Sequence, residues 1–314
     1  MAFAIASIVW LAVADGAAAS APPPATTQPA GWKLAWSDEF NGPEIDRTKW
    51  DFDRGSGMMA NGEWLAGWGN NELEFYTPRP ENAFINEGML HLRAVKESYK
   101  GCQYTSARIK TKSLFSKKYG RYEFRAKLPT GKGIWPAVWM LPEKEAYGGW
   151  AASGEIDILE ARGQNPNKVV GTLHYGSRWP ANTHTGKDYV LPDKQTIADF
   201  HVYALEWEPG AIRWYVDDVL YQSQSFWWSC SDTDGPNGVE PVNESELNPW
   251  PAPYDQPFYL ILNLAVGGNF LGKPDATTNF PAEMVIDYLR VYDRTDVYAP
   301  AKPRGPGKLP FSKP

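Results

Sequence analysis

The sequence predicts an all-β domain, a sandwich or jelly roll, and three observations lead to that prediction. Hydrophobic and polar residues alternate with a period of two along much of the 314-residue chain. Glycine occurs 28 times and proline 27 times, and they divide the chain into short segments. No stretch carries an apolar stripe at helical spacing long enough for an ordinary globular helix. Many short strands separated by turn residues are typical of sandwiches and jelly rolls.

The clearest strand pattern lies in residues 121–127. There Tyr122, Phe124 and Ala126 share one face, and charged residues occupy the other. Residues 211–217 alternate in the same way. The same period predicts two further strands, at 88–94 and 284–292.

Residues 1–21 have the features of a signal peptide. An apolar run from Phe3 to Ala14 precedes a stretch of small residues in which a cleavage site would fit. The usual basic segment is missing, because the first Lys or Arg is Lys33. The alternative is an apolar segment that belongs to the core or has no fixed structure. Export is the favoured interpretation, and it predicts a secreted protein, either extracellular or periplasmic.

The rest of the chain is interpreted as one folded domain with two polar ends. Residues 22–30 are predicted to be a Pro/Thr-rich linker, and residues 31–294 form the domain, without internal repeats. Residues 295–314 are predicted to be an unpacked Pro/Lys-rich tail, since only Leu309 and Phe311 offer large apolar side chains there.

Composition and motifs exclude several classes of protein. A formal net charge of −6 gives no reason to expect a nucleic-acid or membrane partner, and a monomer is expected. After the first 21 residues, no apolar run is long enough to span a bilayer. The four histidines form no HExxH pattern, and the sequence has no P-loop, GxGxxG or GxSxG motif. The sequence therefore gives no sign of a catalytic cofactor.

The best catalytic candidates lie in residues 154–162, GEIDILEAR. Glu155 and Asp157 would share one face of a strand, whereas Glu160 would fall on the opposite face unless a β-bulge around Ile158-Leu159 absorbs one residue. With that bulge, the two glutamates would lean towards each other to about 5–6 Å between carboxyl groups, the spacing of a retaining glycosidase. Such proximity raises at least one carboxyl pKa, as a general acid requires.

Two alternatives compete with that interpretation, a solvated acidic strand edge and calcium ligation by the three acids. Nearby tryptophans favour a glycan cleft instead. Trp135 and Trp139 share one face of a predicted strand, while Val138 and Met140 supply its apolar side. Two core tryptophans remain the competing explanation for that pair. Six more tryptophans occur in Gly-, Pro- and Ser-rich surroundings that make burial hard to arrange, namely Trp64, Trp68, Trp179, Trp227, Trp228 and Trp250.

Taken together, these segments resemble glycoside hydrolase family 16, and within it the bacterial-type endo-β-1,3-glucanases, or laminarinases. The resemblance covers nearly the whole folded unit. The matching segments, in the family's order, are WSDEFNG at 36–42, GWGNNELEFYT at 67–77, YTSARIKT at 104–111, GIWPAVWML at 133–141, EIDILE at 155–160, LEWE at 205–208, NLAVGG at 263–268 and IDYLRVY at 286–292.

The resemblance implies a jelly-roll sandwich of two curved antiparallel sheets, with a glycan across the concave face. It implies that Glu155 is the nucleophile, Glu160 the acid/base, and Asp157 the residue between them that holds a proton or orients the nucleophile. Sugar subsites would be lined by Asn70, Asn71, Arg108, Trp135, Trp139 and His174. It also implies a structural calcium held by Asp287 together with backbone oxygens near Glu39 and Gly88, and no cofactor for catalysis.

The predicted function is therefore that of a secreted, retaining endo-β-1,3-glucanase acting on laminarin-type polysaccharides. Mixed-linkage β-glucan, or a marine galactan such as agar or carrageenan, is an alternative substrate. A non-catalytic β-glucan recognition protein is the alternative from another class. The segment 226–253 is longer than the family leads one to expect, and Phe270 stands where a tryptophan is frequent, so substrate preference stays open.

The two cysteines lead to a separate hypothesis. In an exported protein a pair of cysteines is either bonded or buried. Cys102 and Cys230 have polar neighbours and flank segments that the resemblance places beside the cleft. A disulfide between them is therefore the working hypothesis, although it is not part of the family pattern.

Overall fold

The structure is a computed structural model that describes residues 28–60, 63–231 and 237–311. The predicted signal peptide (1–21) and most of the predicted linker (22–30) lie outside this part. Within it the chain forms 19 strands. They are β1 (Trp32–Asp38), β2 (Asp51–Phe52), β3 (Gly57–Ala60), β4 (Glu63–Ala66), β5 (Glu74–Tyr76), β6 (Ala83–Asn86), β7 (Met89–Tyr99), β8 (Cys102–Ser106), β9 (Arg108–Lys110), β10 (Gly120–Lys127), β11 (Ile134–Pro142), β12 (Glu155–Glu160), β13 (Lys168–Gly176), β14 (Asn182–Val190), β15 (His201–Glu208), β16 (Ala211–Val216), β17 (Val219–Gln224), β18 (Phe258–Val266) and β19 (Ala282–Arg294). The four strands predicted from the sequence are all present.

Helix is confined to two single 3-10 turns in the described residues, Gly67–Gly69 and Glu244–Glu246. Neither of these turns approaches the length or apolar character that a membrane-crossing helix requires, and no other described segment does so. The all-β prediction is therefore confirmed.

Most of the strands belong to two sheets. One has ten strands in the order β17-β16-β15-β10-β19-β7-β8-β5, with β1 added to β19 and β6 to β7. The other has seven strands in the order β14-β13-β12-β11-β18-β9-β2. Named strands pair antiparallel, except for the parallel pair β5–β8. The hairpin β3–β4 forms a third, two-stranded sheet.

The hydrophobic core joins these sheets. Strand β18 is buried at all nine positions, which suits a central strand with a covered neighbour on both sides. In β10 the apolar face of Tyr122, Phe124 and Ala126 is buried, as the alternation predicts. Two charged residues on its other face, Arg121 and Glu123, are also buried, and they form an ion pair at 2.8 Å. Pairing offsets the cost of burying these charges.

The C-terminal tail is packed, so the prediction of an unpacked tail is wrong for its described part. The indole of Trp250 donates a hydrogen bond to the carbonyl of Lys302 (2.6 Å), and the Gly305 amide donates to the carbonyl of Ser225 (2.7 Å). The guanidinium of Arg304 lies 5.2 Å above the Trp250 ring. The tail thus packs against aromatic rings of the long segment 226–253, a contact that the sequence of the tail does not predict.

The disulfide hypothesis is wrong, since neither Cys102 nor Cys230 is in a disulfide. Cys102 begins β8, where burial raises the pKa of its thiol. Cys230 is 7% exposed and belongs to the hydrophobic core, and its backbone amide donates to the carbonyl of Gly176 (3.1 Å). It therefore behaves as a small buried hydrophobe.

The loop tryptophans also differ from the sequence-based expectation. Trp64 and Trp179 are exposed, at 55% and 63%. Trp68, Trp227 and Trp228 are buried, and Trp227 stacks on the half-buried Trp250 with ring centroids 4.7 Å apart. Aromatic stacking between distant parts of the chain makes this burial possible.

Candidate active site

The candidate site is built on β12, which lies between β11 and β13 in the seven-stranded sheet. Asp157 pairs with Trp139 and Leu159 pairs with Val138, so Ile158 is an extra residue on this strand. The predicted bulge around Ile158-Leu159 is therefore confirmed. It leaves the glutamates at both ends of the strand partly exposed while the four residues between them are buried.

Gly154 sets the entry into this strand. Its φ is +85°, a left-handed conformation that favours glycine, and a Cβ there would lie 2.9 Å from both Pro253 and Tyr254. The Tyr254 hydroxyl donates to the carbonyls of His174 (2.8 Å) and Glu155 (3.2 Å). The backbone at the start of β12 is thus fixed from behind by a buried tyrosine.

The three carboxyl groups of β12 interact strongly. Burial, followed by the neighbouring charge of Asp157, raises the pKa of Glu155 to about 8. The same two causes raise the pKa of Glu160 to about 8. The two glutamates consequently titrate as one set, and near neutral pH the set retains protons that a general acid can donate.

His174 on β13 partly balances this negative charge. Its Nε2 lies 3.3 Å from Asp157 Oδ2 and 3.8 Å from Glu155 Oε1. Burial by itself lowers the pKa of His174, but the charges of Glu155, Asp157 and Glu160 outweigh it and raise the pKa to about 9. The imidazole is therefore protonated near neutral pH and favours the ionised form of the carboxyl groups.

Each glutamate also accepts a hydrogen bond from one tryptophan. The Trp150 indole donates to Glu155 Oε2 at 2.7 Å, and the Trp135 indole donates to Glu160 Oε1 at 3.0 Å. Both bonds lower the pKa of their glutamate, against the effect of burial. They also fix the direction in which each carboxylate points.

Trp135 is itself held in a stack. Its ring centroid lies 5.0 Å from that of Phe270, and the guanidinium of Arg162 lies 3.7 Å from the Phe270 ring centroid. Phe270 therefore stands behind the tryptophan that contacts Glu160, which is a structural role for the position where the sequence departs from the family pattern.

The remaining predicted subsite residues lie towards β9. Trp139 donates from its indole to Asn263 Oδ1 at 2.7 Å. Arg108 is 7% exposed, pairs with Asp53 at 2.9 Å, and lies 4.8 Å from the rings of both Trp68 and Trp139. The Arg108 side chain therefore supports an aromatic wall and is largely covered itself.

Asn70 and Asn71 lie in the exposed turn before β5. The Asn70 side chain donates to Glu72 Oε1 (3.1 Å), and the Asn71 side chain donates to Asn269 Oδ1 (2.9 Å). Backbone contact between Asn70 and Asn269 joins this turn to the loop after β18. Both asparagines keep exposed polar groups that a ligand could reach.

The structure brings the predicted residues of β11, β12 and β13 together, and it adds residues that the sequence analysis missed. Trp150 is the most important of these, because it contacts Glu155 directly. His184, on β14, lies with its ring 5.5 Å from that of His174. The sequence shows a tryptophan five residues before Glu155, but it does not show where the side chain of that tryptophan points.

The predicted calcium ligands lie on the other sheet. Strand β19 pairs with β7 up to Ile286 and with β1 from Leu289 onwards, so Asp287 lies where β1 and β7 meet. Glu39 follows the last residue of β1, and Gly88 precedes the first residue of β7. The side chain of Glu39 forms an ion pair with Arg290 (2.6 Å).

Comparisons with known proteins agree with this geometry. A family model described as glycosyl hydrolases family 16 matches residues 70–226. A glucan endo-1,3-beta-glucosidase A1 from Niallia circulans is 46% identical over 84% of this chain, and the match spans 38% of that protein. A beta-glucanase from Rhodothermus marinus is 44% identical over 83% of this chain and 85% of its own length. The laminarinase catalytic domain from Thermotoga maritima is 40% identical, with a TM-score of 0.70 over 84% of this chain and 99% of that one.

Proposed function

The chain belongs to glycoside hydrolase family 16, and from this premise we propose that it is a retaining endo-β-1,3-glucanase that hydrolyses laminarin-type β-glucans. The observation that carries the proposal is the bulged strand β12, which presents Glu155 and Glu160 on one side with one indole donor each. Relatives that span most of this chain are named for the same activity.

The chemistry proceeds in two displacements. Glu155, as carboxylate, attacks the anomeric carbon, and the bond to the leaving glycosidic oxygen breaks as Glu160 transfers its proton to that oxygen. A glycosyl ester on Glu155 results. Glu160, now ionised, then takes a proton from water as the water oxygen attacks the anomeric carbon and releases Glu155. Two inversions at one carbon retain the β-configuration.

The neighbouring groups assist the change of charge during this cycle. The raised pKa of Glu160 keeps it protonated for the first step. The protonated His174 and the Trp150 indole favour the ionised form that Glu155 needs. Asp157 lies 3% exposed between the two glutamates and modulates both through its charge.

The aromatic residues suit a polysaccharide substrate. Trp135 and Trp139 are partly exposed on the same side of β11 as the catalytic pair, with Trp150 at its edge. Their ring faces can stack on the apolar faces of pyranose rings. We retain mixed-linkage β-glucan and marine galactan as alternative substrates. The recognition-protein alternative is disfavoured, since all three acids are present and both glutamates have catalytic partners.

Hydrolysis of laminarin, lichenan and agarose tests this proposal. Release of oligosaccharides from laminarin, with the β-anomer of the new reducing end appearing first by NMR, is the expected result. Glu155→Gln should abolish release while binding is kept, since an amide cannot act as nucleophile. Initial formation of the α-anomer would contradict a retaining mechanism. Faster cleavage of agarose than of laminarin would show that the substrate is a galactan.

We further propose a structural calcium at the junction of β1, β7 and β19, in a monomeric, exported protein. The donor set fits this ion, since it comprises Asp287 and backbone oxygens of Glu39 and Gly88. A Cβ on Gly88 would lie 3.2 Å from Asn41 Oδ1, which places another oxygen at the site. Arg125 holds Asp287 Oδ2 at 2.7 Å, so Oδ1 remains for the ion. Export rests on the sequence of residues 1–21, and N-terminal sequencing of culture medium tests it.

A further inference from the structure

Three side chains of the catalytic centre present metal-ligating atoms to one point. Glu155, Asp157 and His174 each contribute one such atom, and the three atoms lie within 4.8 Å of one another. The Nε2 atom of His174 is 3.3 Å from Asp157 Oδ2 and 3.8 Å from Glu155 Oε1. Among the described residues, these three form the one group of His, Cys, Asp and Glu side chains that lie close enough together to share a metal ion.

Two of the three separations between these atoms are close to those around zinc, and the third, between the Glu155 and Asp157 oxygens, is at most 4.8 Å. Bonds of about 2.0–2.1 Å at tetrahedral angles place neighbouring ligand atoms about 3.3–3.4 Å apart. The distance from His174 Nε2 to Asp157 Oδ2 already has this length, and the distance from Nε2 to Glu155 Oε1 would have to shorten by a few tenths of an ångström. Two carboxylates and one imidazole, with a fourth position open, form a donor set that zinc accepts.

A second observation points to a ligand at the same place. Asp157 is 3% exposed, and no hydrogen bond of good geometry reaches its Oδ2 atom from the described residues, although His174 Nε2 forms an ion pair with it. Zinc would replace the Nε2 proton as the positive partner of this buried carboxylate.

We propose that this centre is also a Zn²⁺ site, in which Glu155 Oε1, Asp157 Oδ2 and His174 Nε2 bind the ion. Glu155 and His174 are partly exposed, so the open position faces the cleft. The imidazole ligand favours zinc over calcium and magnesium, which prefer oxygen ligands. The other ring nitrogen, Nδ1, has no hydrogen-bond partner among the described residues, so binding is expected to be about 10- to 100-fold weaker than at a site whose histidine has such a partner.

Zinc in this position inhibits the enzyme, a consequence that rests on the proposed function. The ion occupies the oxygen of Glu155 that would attack the anomeric carbon, and it blocks the space of the reacting sugar. Substrate and zinc therefore compete for one site.

Calorimetric titration of the full chain with zinc chloride tests the site without reference to activity. One ion per chain is expected for the unmodified protein, and His174→Gln should weaken its binding by about tenfold or more. Glu155→Gln, which preserves volume, should also weaken binding. His184→Gln is the matched control, because that exposed histidine lies beside His174 but outside the ligand set. Circular dichroism establishes that each variant is folded.

Zinc binding that His174→Gln and Glu155→Gln leave unchanged, or a titration without binding at millimolar zinc, would overturn the proposal. Equal weakening by His184→Gln would also overturn it. In a second arm, zinc should inhibit laminarin hydrolysis over the concentration range in which it binds, and EDTA followed by added calcium should restore activity. Zinc binding that needs His174, in a protein without activity on any glucan, would reject the proposed function and keep the metal site.

Discussion

At the scale of single residues, Trp150 has the clearest consequence for catalysis. Trp150→Phe keeps the ring and removes the N–H that contacts Glu155 Oε2. A hydrogen bond to a charged group contributes about 1.5–3 kcal/mol, so kcat/KM should fall by about 10- to 100-fold. The indole lowers the pKa of Glu155, and its loss should move the acidic limb of the kcat/KM profile to higher pH.

Trp179→Phe is the matched control for Trp150→Phe. Trp179 is 63% exposed, and its backbone amide, which the variant keeps, donates to the carbonyl of Trp150 (2.9 Å). The kcat/KM of Trp179→Phe and the acidic limb of its pH profile should equal those of the unmodified protein. A Trp150→Phe enzyme with lower activity but an unshifted acidic limb would show that the indole does not act on the ionisation of Glu155.

Trp135 leads to the complementary prediction at the other glutamate. Activity should fall as pH rises through the range in which the glutamate pair loses its last proton, because Glu160 must carry a proton in the first step, and burial and the charge of Asp157 raise its pKa. The Trp135 indole favours the ionised form of Glu160, so Trp135→Phe should raise that pKa and move the alkaline limb to higher pH. A downward shift of the alkaline limb would contradict this assignment.

The sequence was sufficient to predict the bulged strand that carries Glu155, Asp157 and Glu160, because parity and one bulge determine where strand residues point. It was not sufficient for Trp150, since that indole reaches Glu155 only through the folding of the loop before β12. Ser229 stabilises this loop by donating from its hydroxyl to the carbonyl of Ala152 at 2.7 Å. Contacts between residues 77 positions apart have no local signature.

At the scale of elements, the strands were predictable and the tail was not. The alternation in β10, β16 and β19 depends on neighbours in sequence, whereas residues 299–311 pack against rings that lie more than 50 positions earlier. Their Pro-rich composition is typical of a linker. Tertiary contacts with Trp250 and Phe226 decide the outcome.

Removal of residues 299–314 should destabilise the protein. The truncation breaks the bonds to Trp250 and Ser225 and removes the contact of the partly buried Leu309 with the core, a loss of about 2–4 kcal/mol in the free energy of unfolding. Thermal unfolding should begin about 5–10 °C lower. Lys308→Ala, which changes an exposed residue of the same tail, is the control and should leave Tm unchanged.

Gly307→Ala tests the same packing without a truncation. A Cβ on Gly307 would lie 2.1 Å from the Phe226 ring, so the tail must move away and Tm should fall. A Tm equal to that of the unmodified protein in both variants would mean that the tail does not stabilise the fold.

At the scale of the whole molecule, the two sheets have separate tasks. The seven-stranded sheet carries the catalytic residues, while the ten-stranded sheet carries the predicted calcium ligands at the junction of β1, β7 and β19. The resemblance predicts the ligands, and the register places Asp287 between the residues of β19 that pair with β1 and those that pair with β7, whose ends lie next to Glu39 and Gly88 in the chain. An ion there would join the ends of three strands that are far apart in the chain, and it would therefore act on stability rather than on chemistry.

Calcium should accordingly raise Tm without entering the reaction. An ion that binds the folded chain at 100 times its dissociation constant contributes about 2.7 kcal/mol, or roughly 5–10 °C in Tm. Asp287→Asn should remove this calcium-dependent increase, and kcat at a temperature well below unfolding should be the same with calcium or with EDTA. Asp293→Asn is the control, since Asp293 lies on the same strand and pairs with Lys117. If calcium leaves Tm unchanged, or raises it equally in the unmodified protein and in Asp287→Asn, the ion does not bind at this junction.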